Sequence, residues 1–162
     1  MTISVGDTLP DATFVHMGAD GPEEVSVESL TKGRKIALFA VPGAFTPTCS
    51  SAHVPSFMRT RDDLMAKGVE EVVCVSVNDV FVMKEWGEAT GATAAGITML
   101  ADADSSFTQA LGMDFTAPPV GFMARSKRYA MLVDDGVVSI LNAESSTGEC
   151  EISTGETLLD QL

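Results

Sequence analysis

Nine residues, Val41-Pro42-Gly43-Ala44-Phe45-Thr46-Pro47-Thr48-Cys49, place one thiol between a Pro-Gly loop and a segment with helical apolar spacing. The unpaired N–H groups in a helix's first turn carry partial positive charge, and a cysteine set there is favoured as thiolate over thiol. The chemistry on offer is nucleophilic attack or redox exchange at sulfur.

Two elements must hold that thiol. Upstream, Lys35-Ile36-Ala37-Leu38-Phe39-Ala40-Val41 is an apolar run of strand length, and downstream Val54, Phe57, Met58, Leu64 and Met65 recur at helical spacing. Cys49 therefore sits at a strand-loop-helix junction. Further on, Val72-Val73-Cys74-Val75-Ser76-Val77 predicts a buried strand, Asn78-Asp79 an N-cap, and Val80 to Ala89 a helix. Ile97 to Ala101 predicts another strand and Asp104 to Leu111 a short helix closed by Gly112. Gly91-Ala92-Thr93-Ala94-Ala95-Gly96 between them is expected to be a flexible surface loop.

The pattern then changes. Tyr129 to Val133 and Val137 to Leu141 flank Asp134-Asp135-Gly136, a hairpin signal because an Asp-Gly pair tolerates the positive φ of tight turns. A terminal helix from about Gly155 to Leu162 follows. Parallel β-α units, then an antiparallel hairpin and a closing helix, describe an α/β fold with a mixed central sheet flanked by helices, the thioredoxin-like arrangement.

The composition suits one domain over residues 1–162, with 45% hydrophobic residues to build a core. Ten Lys+Arg against 23 Asp+Glu give a net charge of −13, which disfavours nucleic acid or anionic lipid as partners. No basic, apolar leader opens the chain and no run reaches membrane-spanning length, so a cytoplasmic location is expected. Cys49, Cys74 and Cys150 are odd in number and lack C-x-x-C spacing, which fits neither a disulfide scaffold nor a zinc finger.

The loop reads P-x-x-x-T-x-x-C through Pro42, Thr46 and Cys49, and in this order before a helix it resembles the peroxidatic motif of the peroxiredoxins. The fuller string to Ser50, with His53, Pro55 and Phe57 following, resembles the type II/type V branch. Val5-Gly6-Asp7 and Pro10, Ser76-Val77-Asn78-Asp79, Phe81-Val82 and Lys127-Arg128-Tyr129 extend the resemblance over nearly the whole chain.

That resemblance implies a thiol peroxidase acting on hydrogen peroxide and alkyl hydroperoxides without a metal or organic cofactor. Cys49 would be the attacking thiolate, and the Thr46 hydroxyl would hydrogen-bond sulfur and peroxide. Pro42 would shield the sulfur, while Arg128 would hold thiolate and peroxide together with its planar fork. His53, Gly43, Phe45 and Thr48 would line the pocket. A homodimer through the loops around the site is also implied. Taken singly, the same residues have plainer readings: Cys49 a small buried hydrophobe, Thr46 a turn hydroxyl, Pro42 a strand stop, and Arg128 part of a solvated cluster with Arg125 and Lys127. His53, four residues after Cys49, could form a Cys-His pair or half a metal site, but the only other histidine is His16.

The oxidised cysteine must be reduced again, and the sequence leaves the route open. By resemblance, a resolving thiol lies either in the strand occupied by Cys74 or near the C-terminal helix, close to Cys150. Gly148 to Ile152 around Cys150 reads as the start of a short strand rather than an open loop. A disulfide needs Cα atoms within about 7 Å, so a strand-buried Cys74 would require local opening. Glutathione or glutaredoxin acting directly is the leading expectation, with thioredoxin as another reductant. Two other functions compete: a thioredoxin-fold disulfide oxidoreductase, which the missing C-x-x-C opposes, and a redox-responsive binding module with Cys49 as its sensor.

Overall fold

In the computed structural model, residues 2–162 are described. The centre of the sheet follows from the most apolar segments. Strand β3 (Lys35–Val41) has every residue from Ile36 to Val41 fully buried, as expected for a strand covered on both faces. It pairs in parallel with β4 (Glu71–Ser76), Phe39 lying opposite Cys74, and β4 pairs in parallel with β5 (Ile97–Ala101).

Antiparallel strands complete both sides. On one, β8 (Tyr129–Asp134) pairs with β3 and with β9 (Val137–Ala143). The turn between β8 and β9 uses Asp135 at φ 49° and Gly136 at φ 81°, the doubly positive geometry that the Asp-Gly pair announced. On the other, an N-terminal hairpin of β1 (Thr13–Gly18) and β2 (Gly21–Ser26) adds to β5, giving the order β2-β1-β5-β4-β3-β8-β9. This hairpin had no clear sequence signature, because β2 is a polar edge strand with Pro22, Glu23 and Glu24.

Helices cover both faces. Helices α2 (Val54–Ala66), α3 (Val80–Thr90) and α5 (Gly155–Asp160) pack on a core containing Phe39, Cys49, Phe57, Cys74, Trp86 and Leu158. Short helices α1 (Val27–Thr31) and α4 (Ser106–Ala110) flank the opposite core with Phe14, Leu38, Phe107 and Tyr129. Helix α3 is capped by Asp79, whose carboxylate accepts from Phe81 N and Val82 N, and ends at Gly91 with φ 83°. Asn78, read with Asp79 as a cap, does other work at the site.

Two expectations need correction. Gly91 to Gly96 is a hydrogen-bonded turn with Ala92 fully buried, Ala95 N donating to Gly91 O and Gly96 N to Thr93 O, so it is not a flexible surface loop. No strand forms at Gly148 to Ile152; the chain there is irregular and leaves Cys150 half-buried. Alternating Glu and apolar residues imitated a strand, but no neighbouring edge takes up their backbone groups. A two-stranded sheet of β6 (Asp114–Ala117) and β7 (Phe122–Ser126), joined by a 3-10 turn at Pro118–Val120, was also missed.

Candidate active site

The polypeptide leaves β3 at Val41, turns through Pro42 to Thr46, and enters a helix at Pro47. The loop is pinned from two directions. Asn78 Oδ1, at the end of β4, accepts from Ala44 N at 3.0 Å and from Ser76 Oγ at 2.6 Å. From β7, Arg125 Nη1 donates to Pro42 O at 3.3 Å while its guanidinium lies 4.9 Å over the Phe122 ring. Gly43 has no positive φ; the glycine is needed because a Cβ would stand 2.7 Å from Arg125 Nη1 and 3.2 Å from Thr46 Cγ2. Phe45, at φ 63°, is turned outward and more than half exposed.

Cys49 opens a π turn, Cys49–His53, in which Val54 N bonds back to Cys49 O before regular α2 begins. Such one-turn widenings recur at functional sites, because they shift side chains off the α-helical register. Cys49 and His53 therefore do not stand at ordinary i,i+4 spacing, and they meet through a third residue. Arg128, at the start of β8, donates from Nη2 to Cys49 Sγ at 3.2 Å, and its Nη1 lies 3.0 Å from His53 Nδ1. Its Nε and Nη2 also reach Thr147 O, at 3.3 and 3.0 Å. Only 2% of Arg128 is exposed, so the solvated-edge reading fails.

The histidine's proton is fixed by its partners. His53 Nε2 lies 2.9 Å from Ser153 O, a carbonyl that can only accept, so Nε2 carries the hydrogen and Nδ1 accepts from Arg128. Burial and then the Arg128 charge hold the imidazole down to about 3, against the partial offset of the Ser153 hydrogen bond. His53 is thus a neutral acceptor for the guanidinium. Among the described residues no carboxylate forms an ion pair with Arg128. Of the three groups its guanidinium touches, Cys49 Sγ, His53 Nδ1 and Thr147 O, the sulfur is the one able to carry negative charge. A buried cation with neutral partners is costly, and a thiolate there supplies its counter-charge.

Thr46 Oγ1 donates to Gly43 O at 2.7 Å, not to sulfur, which leaves its oxygen lone pairs free to accept. Thr48 Oγ1 donates to Gly148 O at 3.4 Å, touching the Cys150 loop. Cys74 lies in the same core cluster as Cys49; burial, followed by charge on Cys49, pushes its thiol well up, so it remains protonated. Cys150 is pushed up more moderately, chiefly by burial, with Arg128 opposing. Among the described residues, no three or more His, Cys, Asp or Glu side chains are disposed to hold a metal ion. Sequence reasoning missed Asn78, Thr147 O and Ser153 O as site contacts; the last two are backbone carbonyls, which carry no residue signature.

A buried thiol joined to an arginine fork, with no second thiol beside it in sequence, defines a thioredoxin-fold protein built for cysteine-centred redox chemistry rather than for disulfide exchange. The Redoxin family model matches residues 4–159. Peroxiredoxin-2E-2, chloroplastic, of Oryza sativa subsp. japonica is 50% identical over 165 residues, covering 99% of this chain and 73% of that one. Peroxiredoxin-2B of Arabidopsis thaliana is 43% identical over 161 residues, covering 99% and 98%. A crystal structure of reduced Prx3 in complex with hydrogen peroxide from Vibrio vulnificus superposes with a TM-score of 0.92 at 49% identity, covering 99% of each chain. The chain belongs to the peroxiredoxin family, thiol-dependent peroxidases with a cysteine-based mechanism, and fits its type II/type V branch.

Proposed function

We propose that this protein reduces hydrogen peroxide and organic hydroperoxides through a sulfenic acid at Cys49, in antioxidant defence and redox homeostasis, with glutathione and glutaredoxin as its reductant. The carrying observation is the 3.2 Å contact between Arg128 Nη2 and Cys49 Sγ, inside a site where, among the described residues, the guanidinium has no carboxylate partner.

The Cys49 thiolate attacks one peroxide oxygen in line with the O–O bond; the S–O bond forms as O–O breaks, and the departing oxygen takes a proton to leave as water or an alcohol. Arg128 stabilises negative charge moving from sulfur toward oxygen. Thr46 Oγ1, its hydrogen committed to Gly43 O, accepts the hydrogen of the incoming peroxide. Pro42, buried beside them, keeps bulk water from the sulfur. Gly43 admits Arg125, and His53 and Thr48 form the wall on the Cys150 side.

One glutathione then forms a mixed disulfide with Cys49, releasing water, and a second thiol frees Cys49 and leaves as glutathione disulfide. Cys150 provides a second route. Its position in a half-buried irregular loop, held to Arg128 through Thr147 O, supports it over sheet-buried Cys74 as an internal resolving thiol. We also propose a homodimer through the site-flanking loops, supported by the exposed side chains of Phe45, Val120 and Met123, and a cytoplasmic location, supported by three unpaired cysteines suited to a reducing compartment.

Stopped-flow oxidation of the reduced protein by hydrogen peroxide tests the peroxidase reading. Rapid stoichiometric oxidation is expected, abolished in Cys49→Ser and slowed about 100-fold or more in Arg128→Ala; a wild type no faster than free cysteine removes it. Intact mass then separates the routes, one added oxygen meaning a sulfenic acid awaiting an external thiol and a loss of two hydrogens an internal disulfide.

A further inference from the structure

One carboxylate oxygen outside the reacting groups organises the face of the site opposite the Pro42–Thr46 loop. Glu144 follows β9 directly, and its backbone N donates to Arg128 O at 3.0 Å. Its Oε2 accepts from three donors: Glu151 N at 2.9 Å, Ser153 N at 2.7 Å and Ser153 Oγ at 2.6 Å. Ten residues of irregular chain, Cys150 among them, are thereby folded back onto a single atom.

What that fold presents is the other half of the Arg128 cradle. Thr147 O takes two guanidinium bonds, Gly148 O takes the Thr48 hydroxyl, and Ser153 O sets the His53 tautomer. Helix α5 begins at the loop's far end, where Gly155 N donates to Ser56 Oγ in α2. The segment has no strand or helix of its own: Glu149 N on Ser146 O and Gly148 N on Ser146 Oγ shape the turn around Thr147, and the Glu144 bonds tie the Glu151–Ser153 end back to the end of β9. Backbone carbonyls aim a guanidinium only as well as their loop is fixed.

We propose that Glu144 is a positioning residue for the peroxidase site: its carboxylate clamps the 144–153 loop, and through Thr147 O and Ser153 O it holds Arg128 in register with Cys49. This rests on the peroxidase reading above. It makes Cys150's exposure and Arg128's aim two consequences of one clamp.

The test compares Glu144→Ala and Glu144→Gln with wild type in three readouts: single-turnover oxidation by hydrogen peroxide, iodoacetamide alkylation of Cys49 and of Cys150 resolved by peptide mass, and thermal unfolding. Glu144→Ala should slow peroxide oxidation about tenfold or more and Cys49 alkylation by clearly less, since alkylation loses only Arg128's support of the thiolate whereas peroxide reduction also loses its hold on the reacting oxygens. Cys150 alkylation should rise. Glu144→Gln, which keeps one amide oxygen where Oε2 stood, should recover most of the peroxide rate. If Glu144→Ala folds poorly, Ser153→Ala, which removes one of the three donors, should shift both readouts the same way by less. A lowered melting temperature with unchanged peroxide rate and unchanged Cys150 alkylation overturns the proposal, as does a fall in Cys49 alkylation as large as the fall in peroxide rate. Failure of wild type to outpace free cysteine would instead remove the peroxidase reading, and Cys150 alkylation would still decide whether the clamp exists.

Discussion

Trp86, the chain's one tryptophan, donates its indole N–H to Ser50 Oγ at 3.0 Å, so a fully buried fluorophore is bonded to the residue next to Cys49. Ser50 lies inside the π turn, and its own N donates to Thr46 O. The bond thus ties α3 to the turn that carries the sulfur.

Oxidation at Cys49 is therefore expected to change Trp86 emission with the same rate constant as the mass change. Ser50→Ala should shift the resting emission and lower the unfolding free energy by about 1 kcal/mol, the typical net worth of one hydrogen bond. Emission that ignores both oxidation and Ser50→Ala would show that the contact does not couple the two groups.

Gly43 and Arg125 make a second pair with a measurable dependence. A Cβ at position 43 would meet Arg125 Nη1 at 2.7 Å, and the group that must yield is the end of a flexible side chain that also holds Pro42 O. Gly43→Ala is expected to fold, to cost on the order of 1 kcal/mol, and to slow peroxide oxidation several-fold by displacing the loop that carries Thr46. In an Arg125→Ala background the same substitution should cost less, and a double-mutant cycle reads the difference. Strict additivity would mean that Arg125 does not hold this loop.

His53 gives the protein an acid-sensitive site. Above pH 6.5 the ring is neutral in both folded and unfolded chains and adds no pH dependence. Between 6.5 and about 3 the unfolded chain binds a proton that the folded site refuses, so stability falls as pH falls, by at most about 1.4 kcal/mol per pH unit, and the fall levels off below about 3. Urea denaturation from pH 7 to pH 4 should show this slope in excess over His53→Gln, which retains polar atoms but no titration in this range. Parallel curves for the two proteins would refute the assignment.

The parts of this fold that were legible in sequence are those in which side-chain chemistry dictates backbone shape. The unbroken apolar run before Pro42 needed a strand covered on both faces, and the Asp135-Gly136 pair needed a turn with two positive φ values. Cys49 and Arg128 were legible as a pair through the motif and the Lys-Arg-Tyr string, although spacing alone could not choose Arg128 over Arg125. The structure separates their work: Arg128 binds sulfur and Arg125 binds the loop.

Apart from Asn78, whose Oδ1 holds the loop, what stayed illegible at the site depends on main-chain atoms. No residue pattern announces that Val54 N will bond to Cys49 O five residues back, and any residue at positions 147 and 153 supplies a carbonyl. Cys150 misled for a related reason, since alternation is necessary for an edge strand but an open partner edge is what makes one.

Cys49 has no exposed surface at all. It shares one buried core cluster with Phe39, Val54 and Trp86, and in the proposed cycle both a peroxide of two oxygen atoms and a far bulkier reductant must reach it. That proposed cycle would then alternate between a shut form that meets the oxidant and an opened form that meets the reductant. In that cycle the energy needed to unwind the Cys49–His53 turn would set how long each oxidised molecule waits, and with it the chance that a second peroxide arrives first.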